Sequence, residues 1–500
     1  MVRPTTPGLS TPALASALAV FGTLALLAPE PAASQAFATA TPVATGAEVT
    51  FSRDIAPILQ RSCQGCHRAG GVAPMPLVTY QEVRRWAPRI KEKTGIRDRA
   101  GAMPPWYVEK EIGIQHFKND PSLSDEEIAA IAAWVDNGAP EGNPADLPAP
   151  LVWNDEVFWT AGEPDLVVET EEIFMEAGSP DWWGEIQSVP IPLAEDRYVK
   201  SVEIREVNDI DVTDTGRQTV GGRYIFHHMI WSTRVINDGD DPTASDFEDP
   251  ESTGWPVHEV GRNADVFDPE AGRLLRAGSS VVSNSVHLHS SGRDTRAKLL
   301  IGFRFHPVGY EPRYPRAPVS LGNAMDIDIE AMTDRQELHA YEVLERNTKI
   351  ITFEPHLHAP GERMCLEAIW GYNVETLSCV GYDHNWVRGY AYEDGYQPLL
   401  PKGTVLHIIG YMNNTPTNTN VPDPRNWSGS GNRSVSNMFI DLGMRVALTD
   451  EQFLEEMQAR VERFDLTKND HVIGCPLCLH AIPVPSPVLE ASAQPASNQR

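Results

Sequence analysis

Between residues 124 and 138 the apolar positions recur with helical spacing. Ile128, Ile131, Ala132 and Val135 form one stripe, the repeat of an amphipathic helix. Ser124 stands before it as an N-cap, with Glu127 completing a capping box. Asn137-Gly138 supplies the stop. A stretch rich in Pro and Ala, residues 138–150, then reads as a linker. From about residue 151 the period shortens. Asp165-Leu166-Val167-Val168-Glu169 and Val202-Glu203-Ile204-Arg205-Glu206 alternate, and Gly, Pro, Asn and Asp separate such segments. Many short strands between turn signals predict β-sandwiches. At the start, an apolar run from Ala13 to Ala28 follows one basic residue, Arg3. Pro29, Pro31 and the Ala36-Phe37-Ala38 pattern come next. This predicts a signal peptide over 1–38, cleaved near Ala38. The run is short for a spanning helix, and no later segment is long and apolar enough to span a bilayer. The mature chain is therefore expected in the periplasm or secreted, without a membrane span.

Composition narrows the partners. Of 500 residues, 41% are hydrophobic and 22% charged, and the net charge is -28. That length allows two to four domains. An acidic surface argues against nucleic acid or anionic lipid as a partner. An oxidising compartment allows the six cysteines to form disulfides, but the first two have another use.

Cys63-Gln64-Gly65-Cys66-His67 is the attachment signature of a c-type haem. The two thiols meet the vinyl groups on one haem edge, and His67 presents an imidazole to the iron. A zinc half-site would need a second ligand pair nearby, and none follows. A thioether is expected as the sixth ligand. Met103, in Ala102-Met103-Pro104-Pro105-Trp106, is preferred, and Met75 is the competitor. Residues 46–145 are thus expected to form a small all-α cytochrome c domain. They resemble the cytochrome domains fused to copper monooxygenase-like modules at Cys63 to His67, at Ala73-Pro74-Met75, at Met103 to Trp106, and at Trp134-Val135-Asp136-Asn137-Gly138-Ala139-Pro140.

The later histidines come in pairs: His227-His228-Met229, His287-Leu288-His289 and His356-Leu357-His358. On a strand, residues two apart share a face, so an H-x-H unit aims two imidazoles at one point. Adjacent histidines face opposite ways unless a bulge or strand end intervenes. Such imidazole-rich sets suit copper, zinc, iron or nickel.

Over roughly residues 160 to 450 this order resembles the copper type II, ascorbate-dependent monooxygenase family. That family includes peptidylglycine alpha-hydroxylating monooxygenase and dopamine beta-monooxygenase. The resemblance implies one copper on His227, His228 and His287, and a second on His356, His358 and Met438. His289 competes with His287, and Met412 with Met438. Tyr382-Asp383-His384-Asn385-Trp386 and Leu400-Pro401-Lys402-Gly403-Thr404 resemble segments of bacterial members. Three positions depart from the pattern: Ser285, where Gln is frequent, Leu288, where Tyr is frequent, and Asn437, where an acid is frequent. They bear on substrate contacts more than on metal binding.

The expected architecture is therefore multidomain. The small all-α cytochrome c domain precedes two all-β, jelly-roll-like copper sandwiches, 151–315 and 316–466, and a tail over 467–500. The resemblance implies hydroxylation of a C–H bond of a small organic substrate with O2. No catalytic group beyond the copper ligands is implied. Electrons are expected to pass through one covalent haem c to two coppers, from an ascorbate-like reductant or a periplasmic redox protein. The rival reading is a non-catalytic haem and copper electron-transfer or copper-binding protein. Cys365 and Cys379 flank a hairpin around Gly371-Tyr372-Asn373 and are expected to pair. Cys475-Pro476-Leu477-Cys478 lacks a following His, which excludes a second haem and leaves a tail disulfide or a metal site that would include His480.

Overall fold

The computed structural model describes residues 48–69, 71, 73–152, 159–211, 222–241, 252–262, 264–317, 321–322, 327–431 and 436–478. The expected signal peptide and His480 lie outside the described residues.

Three helices open the described chain: α1 (Ala56–Ser62), α2 (Tyr80–Thr94) and, after a strand β1 (Val108–Gly113), α3 (Asp125–Asp136). Capping boxes start two of them, Thr79 with Glu82 on α2 and Ser124 with Glu127 on α3. Each satisfies two backbone donors that a helix start leaves unpaired. Phe51, Ile55, Leu59, Val83, Ile131 and Trp134 form their shared core. The buried face of α3 centres on Ala130, Ile131 and Trp134, and Ala132 and Val135 lie at its margin. The Trp134 indole donates to the Pro140 carbonyl at 3.0 Å, so the start of the linker folds back on the helix.

The expectation of a separate, small all-α cytochrome c domain is not met. Strand accounts for 36% and helix for 15% of the described residues, and residues 42–500 group as one compact unit. β1 is the reason. It pairs antiparallel with a strand more than 250 residues away, Val108 opposite Val380. Trp106, Val108, Ile114 and Phe117 are buried in the core of that distant sheet. Glu109 adds a two-pronged ion pair to Arg363, at 2.5 and 2.8 Å. The edge of the sheet takes up the main-chain groups of β1 while its apolar flanks leave water, so this segment has no reason to stay with its own helices.

The β region begins with two sheets around one core. The first contains β2 (Trp182–Pro190), β4 (Phe226–Val235), β5 (His258–Glu259) and β6 (Ser279–Leu288), with β6 between β2 and β4. The second is built on β3 (Arg197–Asn208) and β7 (Thr295–Phe305). Met229, Trp231, Val281 and Val286 from the first meet Val199, Val202, Leu299, Ile301 and Phe303 from the second. The other large sheet has the order β1, β11 (Asn373–Gly381), β10 (Gly361–Trp370), β12 (Val405–Met412), β8 (Gln336–Val343). Beside it β9 (Pro355–Leu357) pairs with β13 (Phe439–Asp441). Leu357, Met364, Leu366, Leu406, Ile408 and Phe439 are fully buried there. A helix, α4 (Asp450–Arg463), ends the region expected to be all β.

Cys365 stands directly opposite Cys379 on β10 and β11, and the two are bonded. Cys475 and Cys478 are bonded as well. Among the described residues no helix is long and apolar enough to cross a membrane.

Candidate metal centre

The geometry of the centre starts from one extra residue. Along β4 and β6, Val286 faces Met229 and His287 faces His228, but Leu288 faces Phe226. His227 is therefore the extra residue of a β-bulge. A bulge re-aims a side chain that would otherwise cross to the other face. The ligand nitrogens of His227, His228 and His287 consequently lie within 4.8 Å of one another. All three rings are buried.

Neighbours hold these rings. Trp183 on β2 stacks on His287 at 4.0 Å and meets His228 edge-on at 4.8 Å. Asp181 lies 3.0 Å from Nε2 of His287 and draws the ring proton to that nitrogen. Below the bulge, the Glu206 carboxylate accepts from the backbone N–H groups of Ile225 and Phe226, at 3.0 and 2.9 Å. Burial pushes the Glu206 carboxyl up to about 7, although these hydrogen bonds oppose the shift. A carboxyl raised in the folded state stabilises the fold below its ordinary value of 4.5, and that contribution is lost as pH rises through about 7. Glu206→Gln is therefore expected to flatten the decline in melting temperature across that window. Parallel melting curves for the variant and the parent would reject this.

The second set comes from β9. His356 faces Ile440 and Leu357 faces Phe439. Extending that register by one residue puts Met438 opposite His358, on the face that His356 and His358 share. His358 Nδ1 donates to the Ser436 carbonyl at 3.2 Å. His356 Nδ1 is 2.5 Å from a carboxylate oxygen of Glu259. The backbone of Glu259 pairs with His228 on β4, so this one residue touches both histidine sets.

Two further rings join them. His384 follows β11, and its ring centre is 5.3 Å from that of His227 and 6.4 Å from that of His358. His289 lies 5.5 Å from His227 and donates Nε2–H to the Tyr224 carbonyl at 2.9 Å. Seven imidazoles thus form one continuous group. Burial pushes His227 and His228 well below the usual histidine range, and neighbouring rings add to the effect. His384 is lowered to about 4, again chiefly by burial. Burial acts on His356 too, but the Glu259 carboxylate outweighs it and the direction is upward. Neutral imidazoles offer lone pairs. Nδ1 of His227 and Nδ1 of His384 are buried with no hydrogen-bond partner among the described residues. Such orphaned donor atoms amid neutral rings fit a metal ion that favours imidazole.

The sequence matches no family model and no curated protein. Among solved structures, a chain of the cowpea mosaic virus top component, a naturally occurring empty particle, is similar over 57% of this chain and 90% of its own. The identity is 8% and the TM-score 0.25, values too low to carry an inference.

At the helical end, Cys63 and Cys66 are both free thiols, whereas Cys475 and Cys478, at the same spacing, are bonded. His67 is buried, and its Nδ1 donates to the Met75 carbonyl at 3.0 Å, which leaves Nε2 as the acceptor nitrogen. Burial lowers His67, so the ring is neutral. Met103 is exposed, as are Val78 and Trp86. The two free thiols and the His67 ring with its open Nε2 fit a haem held through two thioethers and an imidazole. Met75 has its main chain behind the His67 ring and its side chain against the helical core.

His227, His228 and His287 come together as one triplet, and His356, His358 and Met438 share one face. Met412 packs instead in the β10–β12 core. Sequence reasoning missed His384 as part of the cluster, and it missed Glu259, Asp181 and Trp183 altogether. Only His384 carried a signal, as a histidine inside a segment already singled out.

Proposed function

We propose that the chain is a copper-dependent monooxygenase that hydroxylates a C–H bond of a small organic substrate with O2, with electrons delivered through haem c on Cys63 and Cys66. The observation that carries this reading is convergence. Three histidine segments, separated by about 60 and 70 residues, meet in one buried group of rings, with a thioether on the face of the last pair. A soft sulfur beside two imidazoles favours copper over zinc or nickel. Copper held here supplies one-electron chemistry between O2 and a C–H bond, one oxygen atom ending in product and the other in water. Haem c supplies electrons singly.

The chain's own residues do the positioning. Asp181 and Trp183 fix His287, and Glu259 fixes His356. Burial keeps protons off His227 and His228. The haem-attachment loop reaches the same region. Arg223 donates to the Gly71 carbonyl at 3.2 Å, and the next residue, Tyr224, accepts from His289. Cys66 lies within electrostatic reach of Arg388 and Arg205. An attached donor acts at high effective concentration, so no strong docking is required. The hydrogen bond behind His67 supports Met103 over Met75 as the sixth ligand.

The test is to purify the mature protein from a host that attaches haem c, count haem and copper per chain, and follow labelled oxygen into product. One haem with two coppers, falling when His356 or Met438 is replaced by Ala, together with label in an organic product, is the expected result. One haem with no tightly bound copper would end the catalytic reading and leave an electron-transfer protein.

A further inference from the structure

A second histidine pair lies away from the buried cluster, on the outer face of the sheet β1–β11–β10–β12–β8. His339 is on β8 and His407 on β12. His339 Nδ1 is 3.0 Å from His407 Nε2. A carboxylate stands behind His407, and another lies near His339 beyond hydrogen-bond distance. Glu367 on β10, directly opposite His407, places Oε2 2.9 Å from His407 Nδ1. Glu337 places Oε2 3.7 Å from His339 Nε2. Thr376 donates to the other Glu367 oxygen at 3.2 Å. The Tyr341 ring stacks flat on His407 at 4.2 Å, with 7° between the planes.

The electrostatics follow from these contacts. A carboxylate behind an imidazole draws the ring proton to the rear nitrogen and leaves a lone pair in front. At the 3.0 Å contact one ring donates to the other, and an ion that displaces this proton gains the lone pairs of both nitrogens. The same separation suits two cis ligands, each about 2.0–2.1 Å from one ion. His407 is buried and held on three sides, so it is preorganised, while the His339 side chain is 41% exposed and keeps the remaining coordination positions open to water. The Cys365–Cys379 disulfide ties β10, which carries Glu367, to β11.

We propose that His339 Nδ1 and His407 Nε2 form a surface binding site for a divalent late transition-metal ion, with Glu367 as the residue that orients His407. Two nitrogens with open water positions take Cu(II) more tightly than Zn(II). The site is independent of the buried cluster and of the proposed catalytic reading.

The experiment titrates Cu(II), and separately Zn(II), into the full chain against a chromophoric chelator. It compares the parent with His339→Asn, a change at a largely exposed ring, and with Glu367→Gln. The parent is expected to take up one more equivalent of Cu(II) than His339→Asn. Glu367→Gln is expected to keep that equivalent at about 10–100-fold lower affinity. Zn(II) should occupy the same site more weakly. His227→Ala should lower the total uptake without changing the difference between the His339 pair of proteins, so failure of the buried centre and failure of this site are separable. Equal stoichiometry and affinity in the parent and in His339→Asn, with matching circular dichroism, would overturn the proposal.

Discussion

Arg262→Leu is expected to destabilise the fold by about 3–5 kcal/mol, the cost of stranding a buried charge by removing its partner. Arg262 follows β5, and its side chain is only 7% exposed. It donates to Asp265 at 2.7 and 3.0 Å and to both oxygens of Glu354, one at 2.6 Å. Glu354, just before β9, is 1% exposed. Leucine would leave two carboxylates facing each other out of water. Burial already disfavours charge on Glu354 and raises its carboxyl, with Arg262 opposing that shift. Adding Glu354→Gln should restore part of the loss, because the stranded charge goes with it. Lysine should not replace arginine, since its point charge cannot serve both acids in fork geometry. Urea unfolding of the three variants measures this. A loss below about 1 kcal/mol would mean that water reaches the pair and that it is a surface-type bridge. The same substitution should weaken metal at the His356 pair, because Arg262 stands three residues after Glu259, the residue that holds His356.

His228→Ala should have the larger effect on metal. His228 is one of the three rings whose ligand atoms lie within 4.8 Å, and it faces His287 across the strands. Losing an outer partner of a metal ligand costs roughly 10–100-fold in affinity, and losing a ligand should cost more. His289→Ala is the matched control. Its ring belongs to the group, but it is not one of the three whose ligand atoms lie within 4.8 Å of one another. Copper counted after dialysis should fall by one per chain in the first variant and stay in the second. Equal retention would remove the triplet as a binding site. Equal loss would move the third ligand from His287 toward His289.

Much of the local structure could be read along the chain. The capping box at Ser124 and Glu127 marks where α3 starts because the signal lies within one turn. Alternation in residues 165–169 and 202–206 finds its strands because period 2 is a property of neighbours. The placement of the H-x-H pair on one face follows from the same rule, and Cys365 with Cys379 follows from a hairpin of local sequence range.

What tertiary structure decided lies at long range. Val108-Glu109-Lys110-Glu111-Ile112-Gly113 carries too few apolar residues to read as a strand, and its pairing partner is more than 250 residues away. For that reason the helices near the haem signature were foreseeable and their lack of independence was not. The adjacent histidines 227 and 228 required some irregularity, but only the register between β4 and β6 shows it to be a bulge at His227. Glu259 has no motif of its own. It becomes important because β5 pairs with β4 while its carboxylate reaches His356 on β9. Residue type and spacing determine which side chains are able to bind metal. Which of them share one buried place is set by strand register and by the burial of apolar faces, and neither is a property of any short stretch of chain.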